Sequence, residues 1–168
     1  LQDVISRHQL RQPVTLERLI QYIFSSTGKT FSALSISNYF KAQKMMISVD
    51  TILSYLSILE DAYLIYRIKR NDLIGKVILK TEEKYYIADH GFREAIAGNN
   101  ASSIEMILEN IVLIELKRRG FQVFIGKIND LEIDFVAKKE NQIEYYQVSY
   151  LMSSKKTRSR EFEVYYML

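Results

Sequence analysis

The sequence predicts an α+β protein in two modules, on three observations. Apolar residues recur at helical spacing through roughly the first sixty positions. The period then falls to two near Tyr63. After residue 98 a fresh order begins, one helix followed by three strand-like runs. The boundary is placed at Gly98-Asn99-Asn100-Ala101, giving modules of residues 1–98 and 99–168.

Each element has a local reason. Leu16, Leu19, Ile20 and Ile23 fall on one helical face within residues 14–26, and Gly28 supplies a stop. Ser32 caps a second helix whose Ala33, Ile36, Tyr39 and Phe40 form a stripe. Ser48 caps a third, with Val49, Ile52, Leu53, Leu56 and Leu59 expected inward. Leu64, Tyr66 and Ile68 then alternate, a turn is expected near Asn71-Asp72 and Gly75, and Val77–Leu79 and Tyr85–Ile87 read as strands. Three helices followed by a hairpin is the element order of a winged helix-turn-helix. In the second module Ser102 and Glu105 stand in capping-box spacing before Ile104, Ile107, Leu108, Ile111 and Ile114. Gly120 ends that helix, with Lys117, Arg118 and Arg119 in the last turn where the helix dipole favours cations. Strands are expected at Phe121–Gly126, Leu131–Ala137 and Ile143–Tyr150, and a polar helix from Ser153 or Ser154 runs off the end. Starting at Leu1 without Met, the chain reads as a piece of something longer.

Composition narrows the function classes. Apolar residues make up 48 %, enough for a real core, while 6 Gly and 1 Pro exclude collagen-like and linker-rich chains. With no Cys there is no disulfide scaffold and no thiolate metal or redox site, and two separated His argue against a histidine zinc site. No apolar run reaches membrane-span length and no signal-peptide pattern opens the chain, so a cytoplasmic location without membrane partners is expected. The net charge is +3, too mild to identify a nucleic-acid binder. Its distribution is more informative. Arg67, Lys69, Arg70, Lys76, Lys80 and Lys84 face only Asp72, Glu82 and Glu83, making this hairpin the candidate phosphate-contacting surface.

Thr27-Gly28-Lys29-Thr30 imitates the end of a phosphate-binding loop. The full pattern needs a glycine where this chain has Ile23, and a strand where an amphipathic helix precedes. A turn between helices is the better reading.

The carboxylates of the second module carry more chemistry. Glu109 lies on the helix, and Asp134 sits in Glu132-Ile133-Asp134-Phe135-Val136, with Ile133 and Phe135 facing away from Glu132 and Asp134. A helix Glu, a strand Asp and a following x-Glu-x-Lys strand is how PD-(D/E)xK nucleases hold Mg²⁺ through hard oxygen ligands, while the Lys orients water. Here that strand reads Tyr146-Gln147-Val148-Ser149. Gln147 brings an amide without charge, and Ser149 supplies no cation. Glu109, Asp134, Gln147 and Ser149 are thus a degenerate constellation, in which Glu109 and Asp134 alone would hold a metal weakly. Glu144 is the nearby carboxylate, on the opposite face by strand alternation.

Several stretches together resemble one prokaryotic group. They are Arg7-His8, Thr27-Gly28-Lys29, residues 55–65 from Tyr55 to Ile65, Tyr85–Arg93, Glu109-Asn110-Ile111-Val112, Glu132–Val136 and Tyr146–Ser149. The chain resembles the C-terminal region of prokaryotic AAA+ superfamily ATPases, over almost its whole length. That resemblance implies a winged helix joined to a restriction-endonuclease-like domain, with ATP bound only by a motor domain upstream of Leu1. Many members keep the Glu-x-Lys strand, whereas this sequence has Gln147 and Ser149.

Partner chemistry divides two readings. The third helix, 48–61, has no Lys or Arg but carries Asp50, Glu60 and Asp61, leaving Thr51, Ser54, Tyr55 and Ser57 as base readers. That favours packing on the upstream ATPase domain or another protein over duplex DNA, for which weak non-specific contact through the hairpin is expected. The first reading is therefore a non-catalytic regulatory or binding region of an ATPase. The alternative is a metal-dependent DNA nuclease or DNA-binding domain.

Overall fold

The computed structural model describes residues 13–73, 77–78, 83–97, 104–129 and 131–150. Among these the fold is mixed α/β, with five helices and two sheets, and the chain divides into two compact units. One unit is Leu1–Arg67 with Tyr85–Asn99; the other is Ile68–Lys84 with Asn100–Leu168. This grouping differs from a single division at 98/99 in where it puts residues 68–84. Residues 68–84 leave the first unit and build into the second, because a strand there pairs with one more than fifty residues later.

The first unit begins with α1 (Pro13–Ser25), which buries Leu16, Leu19, Ile20, Ile23 and Phe24. Gly28 follows in the left-handed region (φ 75°), where a side chain would be strained, and its N–H donates to the Tyr85 carbonyl at 3.0 Å. The phosphate-loop lookalike is thus a turn tied to a strand. A short strand β1 (Thr30–Phe31) leads to α2 (Ala33–Ala42). Ser32 caps α2 through a reciprocal box with Ser35, satisfying two otherwise orphaned donors. Ser48 caps α3 (Val49–Asp61) by accepting from the Thr51 N–H. Ile52, Leu56 and Leu59 point inward as the spacing predicts, but Tyr55 and Ile58 join them while Leu53 is 45 % exposed. The inward face is therefore rotated from the expected one. Tyr39 is likewise 43 % exposed rather than part of a buried stripe. The sheet of this unit orders β1, β5 (Glu83–Ile87) and β2 (Ile65–Ile68). Phe31 stacks on Tyr85 with ring centroids 4.7 Å apart, seating the sheet on the helical core. Helix α4 (His90–Ala97) starts where Asp89 accepts the Gly91 N–H at 2.7 Å.

In the second unit, α5 (Ile104–Arg118) packs on a five-stranded mixed sheet of order β4-β3-β6-β7-β8. Its strands are β3 (Arg70–Asp72), β4 (Val77–Ile78), β6 (Gln122–Ile128), β7 (Leu131–Lys139) and β8 (Gln142–Tyr146). The β3 strand runs parallel to β6, with Arg70 opposite Ile125, while β6–β7 and β7–β8 are antiparallel. Helix α5 closes as expected at Gly120 (φ 82°): the Phe121 N–H reaches Leu116 O at 3.1 Å and the Gly120 N–H reaches Lys117 O at 2.9 Å. In β6, Gly126 is needed for close approach, since a Cβ there would lie 2.9 Å from Ile133 Cβ and from Val136 Cγ2. A register shift between Phe124 and Gly126 marks the same spot. The third strand stops at Tyr146 rather than Tyr150, so Gln147 and Ser149 follow the strand instead of lying in it. The expected cap at Ser102, the boundary at 98–101, the turn at Gly75 and the helix after Ser153 lie outside the described residues.

Candidate functional site

Three elements of the second unit, together with Lys84 of the same unit at the start of β5, bring charged side chains to one place. Strand β7 supplies Glu132 and Asp134, separated by a buried Ile133, so that the period of two sends both carboxylates to the same face. Glu109 comes from the middle of α5, one residue before the fully buried Asn110. Strand β3 supplies Arg70, and the start of β5 supplies Lys84.

Lys84 is the hub. Its Nζ lies 2.8 Å from a Glu132 carboxylate oxygen and 3.0 Å from one of Glu109, with a side chain only 6 % exposed. Arg70 reaches the other oxygen of Glu132 at 3.2 Å, so that Glu132 is held between two cations. Burial by itself pulls the Lys84 ammonium down. Glu109 and Glu132, then Asp134, outweigh that cost and hold its pKa above the ordinary lysine value. The lysine is charged throughout the physiological range.

Asp134 behaves oppositely. Burial, with the neighbouring Glu109 charge, pushes its carboxyl up to about 7, against the lowering effects of the Val148 N–H and Lys84. Asp134 Oδ2 accepts the Val148 N–H at 2.7 Å, and the Asp134 N–H donates to Gln147 Oε1 at 3.3 Å. The segment after β8 is thus stitched to β7 by the very residues of the nuclease-like pattern. The Gln147 oxygen, the atom that would have faced a metal, accepts from backbone.

Of the four degenerate positions, Glu109 and Asp134 fall in the cluster, Gln147 borders it through backbone bonding, and Ser149 is half-buried beyond the strand end. Glu144 stays on its own side of β8, bonded to the Tyr146 hydroxyl two residues on. Sequence reasoning placed Glu132 on the face of Asp134 but gave it no role, and it missed the role of Lys84. The signal for Lys84 was its neighbours: Tyr85, Tyr86 and Ile87 leave no exposed face on β5, so a lysine adjoining them is drawn inside.

The donor set does not fit Mg²⁺. That ion demands near-octahedral oxygens at about 2.0–2.1 Å. The Glu109 and Glu132 oxygens instead flank an ammonium, and a carboxyl titrating near 7 is a poor ligand at neutral pH. Among the described residues, no three His, Cys, Asp or Glu side chains converge on a metal position.

Of the four basic residues of the hairpin that lie among the described residues, three are paired within the fold. Lys84 and Arg70 are buried and ion-paired within the cluster, correcting their assignment as phosphate contacts. Arg67 pairs with Glu60 at 3.0 Å. Lys69 is exposed, while Lys76 and Lys80 lie outside the described residues. No helix among the described residues is long and apolar enough to cross a membrane.

Comparison with known proteins places the chain. It belongs to the family described as a domain of unknown function, DUF8612, whose model matches residues 1–103. An uncharacterized protein of Haemophilus influenzae is 38 % identical over 150 residues, covering 89 % of this chain and 38 % of that protein. The uncharacterized protein MJ1544 of Methanocaldococcus jannaschii is 30 % identical over 167 residues, 97 % of this chain and 36 % of its own length. The chain therefore spans little more than a third of these relatives. No solved structure matches it.

Proposed function

We propose that the chain is a non-catalytic regulatory or binding region at the C-terminal end of a prokaryotic, cytoplasmic AAA+ superfamily ATPase. In this reading the first unit is a winged-helix variant that docks on the motor domain or a protein partner. The second is a nuclease-like scaffold whose chemistry has been replaced by internal pairing. One observation carries it: Lys84 fills the carboxylate cluster with a buried ammonium, and Asp134 and Gln147 are committed to backbone partners. A nuclease needs those carboxylates open to a metal and a phosphate. Here Glu109 and Glu132 already have cation partners within the fold.

Two further features support it. The third helix has no cation to offer DNA, and two basic hairpin residues are buried. Relatives more than twice as long leave room for a motor domain elsewhere in the polypeptide. The test is ATP hydrolysis by the full reading frame that contains this chain, with and without the 168 residues. ATP hydrolysis whose rate changes severalfold on deletion is expected. A full-length protein that hydrolyses no ATP, or that cuts DNA through Asp134, overturns the reading.

A further inference from the structure

We propose that Lys84 is the built-in cation of the Glu109–Glu132–Asp134 cluster, taking the place of a divalent metal so that the native chain leaves Mg²⁺ and Mn²⁺ in solution. The inference deepens the non-catalytic reading of that site and rests on it.

The geometry is that of a counter-ion rather than of a surface pair. The ammonium is all but sealed from solvent, donates to two carboxylates on different elements at 3.0 and 2.8 Å, and carries Asp134 as a third neighbour. An ammonium has donors and no acceptor, so the carboxylates of Glu109 and Glu132 are matched partners for it, with Asp134 acting on it through charge alone. It also ties α5 to β7, which a metal would otherwise do. Charge accounting agrees. Glu109, Glu132 and Asp134 face Lys84 and Arg70, and removing Lys84 would take a positive charge from among buried carboxylates, a deficit that an external cation repairs. A metal entering the native cluster must displace or crowd a like-charged buried lysine, which is strongly unfavourable at low dielectric.

The test is Mn²⁺ titration of the whole chain followed by NMR. Native protein is expected to show the Lys84 side-chain ¹⁵N–H₃ correlation at neutral pH, protected from exchange. Millimolar Mn²⁺ should leave it unbroadened. Lys84→Met, which keeps the apolar stem and removes the charge, should bind Mn²⁺ about tenfold or more tightly than native protein. Should Lys84→Met not fold, the native correlation decides alone: broadening that saturates with Mn²⁺ at the amides of residues 109 and 134 overturns the proposal. A folded Lys84→Met that binds Mn²⁺ no better than native protein also overturns it. Metal binding without DNA cleavage would defeat this inference and leave the non-catalytic reading standing, whereas metal-dependent cleavage through Asp134 would defeat both.

Discussion

Replacing Asp134 by Asn separates the shape of the buried carboxyl from its charge. In the fold this group titrates at about 7 against an ordinary 3.8, raised by burial and by Glu109. A raised folded pKa means that the native state holds a proton which the unfolded chain has released. The stability this contributes is complete below the ordinary carboxyl value and is lost as pH climbs to the folded one. Above about 7 the ion must be buried at full cost. From pH 5 to the folded value spans about two units, at about 1.36 kcal/mol each, so native stability falls by about 2.7 kcal/mol from this group. The Asp134→Asn variant would carry no such slope, since the amide oxygen still accepts the Val148 N–H without a charge to desolvate. Urea unfolding of both proteins at pH 5 and pH 8 measures the difference. The gap should move in favour of Asp134→Asn by about 3 kcal/mol between the two pH values. A gap constant to within about 0.5 kcal/mol would show that Asp134 is not held in a desolvated, acid-crowded position, and the description of the cluster would fail.

Other outcomes follow from the same contacts. Gly126→Ala places a Cβ 2.9 Å from Ile133 and Val136 and should cost about 1–3 kcal/mol in urea unfolding, with the sheet shifted locally in amide chemical shifts. Ser48→Ala removes the cap of α3 and should cost about 1 kcal/mol, whereas Ser48→Asp should be nearly neutral. In duplex DNA binding measured by fluorescence anisotropy, any affinity should be weak and fall steeply with salt. Lys69→Ala should lower it, whereas Arg70→Ala should act mainly by lowering the melting temperature, because Arg70 is committed to Glu132.

What is legible in the sequence is what is decided locally. Ser32 and Ser48 announce their helices because a cap is satisfied within three residues, and Gly120 announces the end of α5 for the same reason. The pair Glu132 and Asp134 shares a face by strand period alone. What is not legible depends on distant pairing. The parallel alignment of β3 with β6 joins Arg70 to Ile125, and no turn signal encodes it, so linear order groups the hairpin with the helices before it. Lys84 and Arg70 sit in a basic run that in isolation reads as solvated. Inside the fold they are paired by acids arriving from α5 and β7, which the local sequence does not announce. Gln147 and Ser149 read as strand positions, but the strand yields at Tyr146 and the side chain of Gln147 turns to the backbone of Asp134.

The central claim is that internal pairing has closed the carboxylate cluster to phosphodiester chemistry. Incubating the chain with supercoiled plasmid and single-stranded DNA in millimolar Mg²⁺ or Mn²⁺ tests it most directly, with Asp134→Ala as the control. Gel electrophoresis should show no nicking or degradation above that control, because the cluster's cation is Lys84, the amide oxygen of Gln147 accepts from the Asp134 N–H, and Ser149 supplies no cation. Cleavage by the native chain that disappears in Asp134→Ala would contradict the account, and would mean that Lys84 serves the reaction instead of sealing the site.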